Sequence, residues 1–320
     1  MNVRLLVAAI AAILLQAATG SALASDIPRD FAELRQKDER VQRLGFRLAT
    51  ANAPYCRSVA PSLGLMLHDV AAYGASEALA ASLGLSGQIA VQAVVAGGPA
   101  DGAVSIDETI VSIGGTDLAT LVSDPDAKWQ RLVTVNDLLD AELAEGGSAR
   151  LGLADGRTVD LSGRPACSTR YEVGPIGKRA VADGARVVIG EKFPGFAYAD
   201  PELAAVMAHG LAHNVLEHRK LLDARGRGRK LVRATEREAD RLAPWLLANA
   251  GFDPAASLRF MQEWGPDHSG GWFRKRTHDG WDERAEMIAA EVKLVRAALD
   301  PDGKADWAKR FVREPETAQE

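Results

Sequence analysis

Apolar residues recur along this chain with several spacings, and each spacing predicts an element. Residues 5–18 form a nearly unbroken apolar run behind Arg4. Across residues 30–51, Phe31, Leu34, Val41, Leu44, Phe46 and Leu48 approximate helical spacing among charged residues, which predicts an amphipathic helix. Pro54 ends it, because proline cannot continue a helix. Residues 88–95 and 108–113 predict two strands, separated by a Gly97-Gly98-Pro99-Ala100 turn and closed by Gly114-Gly115. A helix is expected over 133–145, and 185–190 predicts a short β-branched strand.

The best-signalled element begins at Pro201. Leu203, Val206, Met207, Leu211, Val215 and Leu216 recur at intervals that put them on one side of a helix. Asp200 is expected as its N-cap, Pro201 has the φ of a first helical residue, and Glu202 suits the positive end of the dipole. His209 and His213 stand one turn apart and roughly 40° apart around the axis, so two imidazoles can meet one metal ion. His218 falls about 180° from His209 on the same helical wheel and is expected at the surface. A second helix follows Thr235, with Leu242, Trp245 and Leu246 on its apolar side. The Gly-interleaved basic stretch Arg225-Gly226-Arg227-Gly228-Arg229-Lys230 between the two helices predicts a solvated loop.

A His pair at this spacing is the frame of H-E-x-x-H, in which the residue after the first His is a glutamate acting as general base. Here that residue is Gly210. The flanking Glu202-Leu203-Ala204-Ala205-Val206 and Asn214-Val215-Leu216-Glu217-His218 resemble the zinc helix of the metallopeptidase family typified by the CAAX prenyl endopeptidase. Glu236-Arg237-Glu238-Ala239-Asp240 is similar to that family's E-x-x-A-D segment. The resemblance implies zinc as cofactor, Glu236 as third ligand beside His209 and His213, and Asp240 as the carboxylate that orients a ligand His. Thr277-His278-Asp279 resembles the family's Thr-His-Pro segment, which implies that His278 lies near the open metal position. The strand at 185–190 would lie beside the zinc helix with an open edge for extended substrate.

Between the two parts of that resemblance, residues 63–162 look like a PDZ domain, with Leu63, Gly64 and Leu65 at the place of its carboxylate-binding loop. The alternative for this stretch is a small β domain of other use. The implied fold is α+β, a zincin-like metallopeptidase domain with an inserted β-rich PDZ-like domain. The expected boundaries are a signal peptide at 1–24, a first peptidase helix in 25–56, the insertion at 57–167, the metallopeptidase-like domain at 168–300 and a C-terminal tail at 301–320.

Composition narrows the function classes. A chain of 320 residues, 47% of them hydrophobic, can bury one large core or two small ones. A net charge of −5 without long one-sign blocks argues against a nucleic-acid partner. The apolar run at 5–18, followed by Ala22-Leu23-Ala24, fits a cleaved export signal and is too short to span a bilayer. Export makes the two cysteines, Cys56 and Cys167, candidates for a disulfide, with two buried free thiols as the alternative.

Three functions remain open at this level. One is a zinc-binding family member with proteolysis impaired by Gly210, one an active zinc metalloendopeptidase acting on exported or misfolded proteins, and one a non-catalytic peptide-binding chaperone or adaptor. In each the partner is an extended polypeptide segment, and no stable membrane span survives signal cleavage. Glycine is a poor helix residue, so a glutamate at 210 is expected to be accommodated at little folding cost.

Overall fold

The computed structural model describes residues 28–268 and 279–317. The export signal expected at 1–24 and the expected site residue His278 lie outside the described residues. α1 (Arg29–Asn52) leads through a 3-10 turn into a β-rich stretch. There β1 (Val59–Ser62), β2 (Leu65–Asp69), α2 (Ser76–Ser82), β3 (Ile89–Val94), β4 (Ile110–Ile113), β5 (Thr116–Asp117), α3 (Trp129–Gly146), β6 (Ser148–Leu153), β7 (Thr158–Ser162) and β8 (Arg164–Cys167) follow in order. β9 (Arg170–Gly174), β10 (Ala180–Ala182) and β11 (Arg186–Gly190) form a second small sheet. The rest is helical: α4 (Asp200–Val215), α5 (His218–Arg225), α6 (Arg229–Asn249), α7 (Ala256–His268), α8 (Trp281–Ala298) and α9 (Trp307–Arg310). The chain is therefore a mixed α/β protein with small sheets, as expected at that coarser level. Among the described residues no helix is long and apolar enough to cross a membrane.

Two large apolar clusters hold these elements. In the first, Leu63, Leu67, Val91, Ile110, Ile113, Val135, Leu139, Leu151 and Leu161 bring β2, β3, α3 and the β5-β4-β6-β7 sheet together. Gly114 and Gly115, both at positive φ, make the tight β4–β5 turn for which a side chain would be strained. In the second cluster, Leu44 and Leu48 of α1 join Val187 and Ile189 of β11, Leu203, Met207 and Leu211 of α4, and Leu242, Leu246 and Leu247 of α6. Truncating one such leucine to alanine would cost about 2–5 kcal/mol.

A Cys56–Cys167 disulfide joins the two ends of the β-rich stretch, and β1 pairs with β8 antiparallel beside it, Val59 opposite Cys167. Because it closes a loop of 111 residues, the bridge constrains the unfolded chain by roughly 4–5 kcal/mol.

Three expectations change. Asp200 does not cap α4; its carboxylate accepts from Arg40 and Arg43 of α1, so an inter-helix ion pair takes the group that local geometry would have used. β11 is not an edge strand, since β10 pairs with it antiparallel and β9 parallel, which leaves β10 at the rim. The residues after 300, expected as a tail, pack into the second cluster through Ala305 and Trp307. A buried amide network fixes them there. Asn249 donates to the Ala305 carbonyl and to Asn52 Oδ1, which also accepts from Trp307 Nε1.

Candidate metal centre

Small residues decide how close α4 and α6 come. Ala204, Ala205, Ala208 and Ala212 on α4, and Ala234, Ala239 and Ala243 on α6, are almost wholly buried, so little side-chain bulk separates the backbones. That close approach brings His209 and His213 against Glu236. His209 Nε2 and His213 Nε2 are 3.1 Å apart, and each lies 3.5 Å from a Glu236 carboxylate oxygen. Tetrahedral ligands at the usual zinc distances of about 2.0–2.1 Å are separated by about 3.3–3.4 Å, so each imidazole nitrogen stands near that spacing from the other and from one of the two Glu236 oxygens, Oε2 for His209 and Oε1 for His213. Among the described residues this is the group able to hold a metal ion.

Each histidine is oriented from behind. His209 Nδ1 lies 3.0 Å from Asp240 Oδ1, and Asp240 in turn accepts two bonds from Arg284 of α8, at 2.6 and 2.7 Å. Burial alone would raise the Asp240 pKa, but the Arg284 charge and the His209 bond outweigh it and hold the carboxyl down to about 2. Burial likewise opposes charge on His209, yet the Asp240 and Glu236 carboxylates overcome it and push the ring up to about 9. A cation arriving at Nε2 near neutral pH must therefore displace a proton.

His213 is supported by a residue expected at the surface. His218 is 1% exposed, with Nδ1 2.9 Å from His213 Nδ1 and Nε2 2.9 Å from Glu238 Oε2. The helical-wheel expectation fails because α4 stops at Val215 and Glu217 takes a left-handed φ of +56°, which swings His218 back into the protein. Glu238 is fully buried, and its other oxygen accepts from Arg313 Nε, the Glu314 N–H and Thr317 Oγ1. Desolvation would raise the Glu238 pKa, but the bonds from His218, Arg313 and Thr317 bring it down to about 2. Burial pushes His218 down to about 4, so a neutral ring faces an ionised carboxylate. No local motif announced this arrangement; the one signal was a third His close behind the pair.

Gly210 has a packing reason to be glycine. A Cβ at that position would sit 2.8 and 2.9 Å from the two Val187 methyl carbons of β11. Those atoms are short and β-branched, so relief requires moving the strand or the helix. Asn214 pins the same interface, accepting from the Gly184 N–H and donating to the Arg186 carbonyl. The expectation of an inexpensive glutamate at 210 is thus corrected: the better helix propensity is set against a steric conflict with β11.

Other expected residues are not drawn into this group. Glu217 points toward Lys220 on the exposed side. Leu63 and Leu65, which flank Gly64, belong to the other cluster, where β2 pairs with β3 and packs beside α3, tied to it by Arg131 bonds to Asp69 and Gln88. His68 is buried against Phe31 and Tyr73. The basic loop is anchored, with Arg227 bonded to Asp223, Arg225 to the Glu316 carbonyl and Lys230 3.2 Å from Glu316.

Fold and site together define a mixed α/β protein with a His-His-Glu group able to bind a metal ion. No protein-family model matches the chain, and no curated protein matches it either.

Proposed function

We propose that this chain is an exported zinc-binding protein of the metallopeptidase family typified by the CAAX prenyl endopeptidase, one that holds extended polypeptide segments and cleaves them slowly or not at all. The observation that carries this reading is the group of His209, His213 and Glu236, with the two imidazole nitrogens 3.1 Å apart and each 3.5 Å from a different Glu236 oxygen, and each His backed by its own carboxylate system. Two His and one Glu form the ligand set of catalytic zinc sites. Zinc bound there would supply Lewis acidity, polarising a carbonyl and acidifying water.

At the position of the general base the chain provides no group for proton transfer. Gly210 offers no carboxylate, and Val187 occupies the space into which one would start. Asp240 and Glu238 are committed to His209 with Arg284 and to His218 with the 313–317 segment. A placed general base contributes on the order of 10²–10⁴ in rate, so hydrolysis should be slowed by that much.

Binding needs only backbone and pockets. β10 is a rim strand next to α4, so its outer N–H and C=O groups suit addition of an extended segment. The zincin-like and PDZ-like assignments belong to the same proposal; for the latter the support is β2 lying between β3 and α3, with Leu63, Gly64 and Leu65 at its start.

Zinc content and casein cleavage measured on one folded preparation, alongside binding of an unstructured peptide, test the reading. About one zinc per chain with peptide binding and little cleavage is expected. Absence of zinc, or cleavage at an ordinary rate that disappears with the metal, overturns it.

A further inference from the structure

The C-terminal segment ends one hydrogen-bonded path whose other end is a candidate metal ligand. Arg313 Nε and the Glu314 N–H each lie 2.7 Å from Glu238 Oε1, and Thr317 Oγ1 donates to the same oxygen. Glu238 Oε2 meets His218 Nε2, and His218 Nδ1 meets His213 Nδ1, both at 2.9 Å. Glu238 Oε1 already accepts from three donors, so the hydrogen shared with Oε2 is carried by His218 Nε2. Two ring nitrogens 2.9 Å apart share one hydrogen, and a His213 that meets a metal through Nε2 must carry it on its own Nδ1, with His218 Nδ1 as the acceptor. His213 Nε2 is thereby left with its lone pair toward His209 and Glu236.

The segment is held as firmly as the path it feeds. Glu314 accepts from Arg237 and Arg241, neighbours of Glu238 on α6, and Arg241 also bonds Glu291 of α8. Thr317 is 1% exposed, and its hydroxyl is the last link of the chain.

We infer that His218 is a positioning residue that sets the tautomer and ring orientation of His213, and that residues 313–317 tune metal affinity through Glu238. This rests on the metal-centre reading above. Carboxylate or amide groups behind a ligand His usually govern metal affinity by 10–100-fold; here the outer partner is a second histidine, and part of its support comes from the end of the chain.

Zinc affinity measured by chelator competition, together with the visible spectrum of the cobalt-substituted protein, tests it on the full-length mature chain. His218→Leu should weaken zinc binding about 10–100-fold and alter the cobalt spectrum, while His218→Gln, which keeps a donor and an acceptor, should recover most of the loss. Arg313→Met and Thr317→Val should shift affinity in the same direction by several-fold. Thermal melting without metal separates folding from affinity. If His218→Leu does not fold, the two C-terminal variants decide. Zinc affinity and cobalt spectrum unchanged in folded variants would overturn the inference while leaving the metal centre standing. Wild type and His209→Ala binding zinc equally would remove the centre itself, and this inference with it.

Discussion

Two buried polar clusters in this molecule handle the same problem differently. Around the candidate metal centre, Asp240 and Glu238 are almost fully buried, yet both carboxyls are held down to about 2, because each faces an arginine and a histidine, and Glu238 two further donors. At the junction of α1 with the β-rich cluster, Asp38 and His68 are as deeply buried, but partners are short. Gln92 donates to Asp38 Oδ2, whereas Asp38 Oδ1, Gln92 Oε1 and both His68 nitrogens have no hydrogen-bond partner among the described residues. Desolvation dominates there. It pushes Asp38 up to about 7 and His68 down to about 4, each toward its neutral form. Burial itself does not dictate charge; the supply of donors and counter-charges does. The first cluster spends partners to keep a fixed constellation of charges, as a metal site requires. The second tolerates burial by surrendering charge.

Removing a ligand should have the largest effect on this contrast. His213→Ala should lower zinc affinity by more than about 100-fold, beyond the range of outer partners, because a three-residue site has no spare ligand. Chelator competition and elemental analysis check it, and zinc retained at wild-type affinity would break the comparison at its stronger end.

Placing a carboxylate at position 210 comes next. Gly210→Glu alone should be destabilised by its conflict with Val187, whereas Gly210→Glu with Val187→Gly should fold and cleave casein about 10²-fold faster than wild type. A double variant that folds and binds zinc but cleaves no faster would show that a carboxylate at 210 is not enough for cleavage.

The junction gives a pH test. The folded state holds a proton on Asp38 that the unfolded chain releases near its ordinary pKa of 3.8, so stability from this group is present at low pH and declines as pH rises toward about 7. Asp38→Asn should therefore gain on the order of 2 kcal/mol over wild type at pH 8, with the difference shrinking by pH 4. Arg35, Glu39 and Glu172 are the charges acting on Asp38; Arg35 lowers its pKa and the two glutamates raise it. Urea unfolding at both pH values decides, and a constant difference would refute the titration.

The smallest effect is expected at His68. Its folded-state pKa lies below the ordinary 6.5, so its destabilising effect appears as pH falls from 6.5 toward about 4. His68→Phe should be about 1 kcal/mol more stable relative to wild type at pH 5.5 than at pH 8.

The chain's pattern by itself determined the elements. Periodicity located α1, α3, α4 and β11 within a few residues, because a buried stripe must repeat at the spacing of its element. The His209–His213 pair was equally legible, since one helical turn fixes both rings, and an even cysteine count pointed to the Cys56–Cys167 bridge that the fold contains. Tertiary structure alone decided what those residues meet. The break at Glu217 turned His218 inward, and a strand distant in sequence put Val187 over Gly210. Arg284 and the 313–317 segment reached the site from beyond α7, and β10 rather than β11 became the rim of its sheet. These are contacts between distant segments. Their energies depend on distances of a few tenths of an ångström between surfaces, and a local periodic signal cannot carry that information.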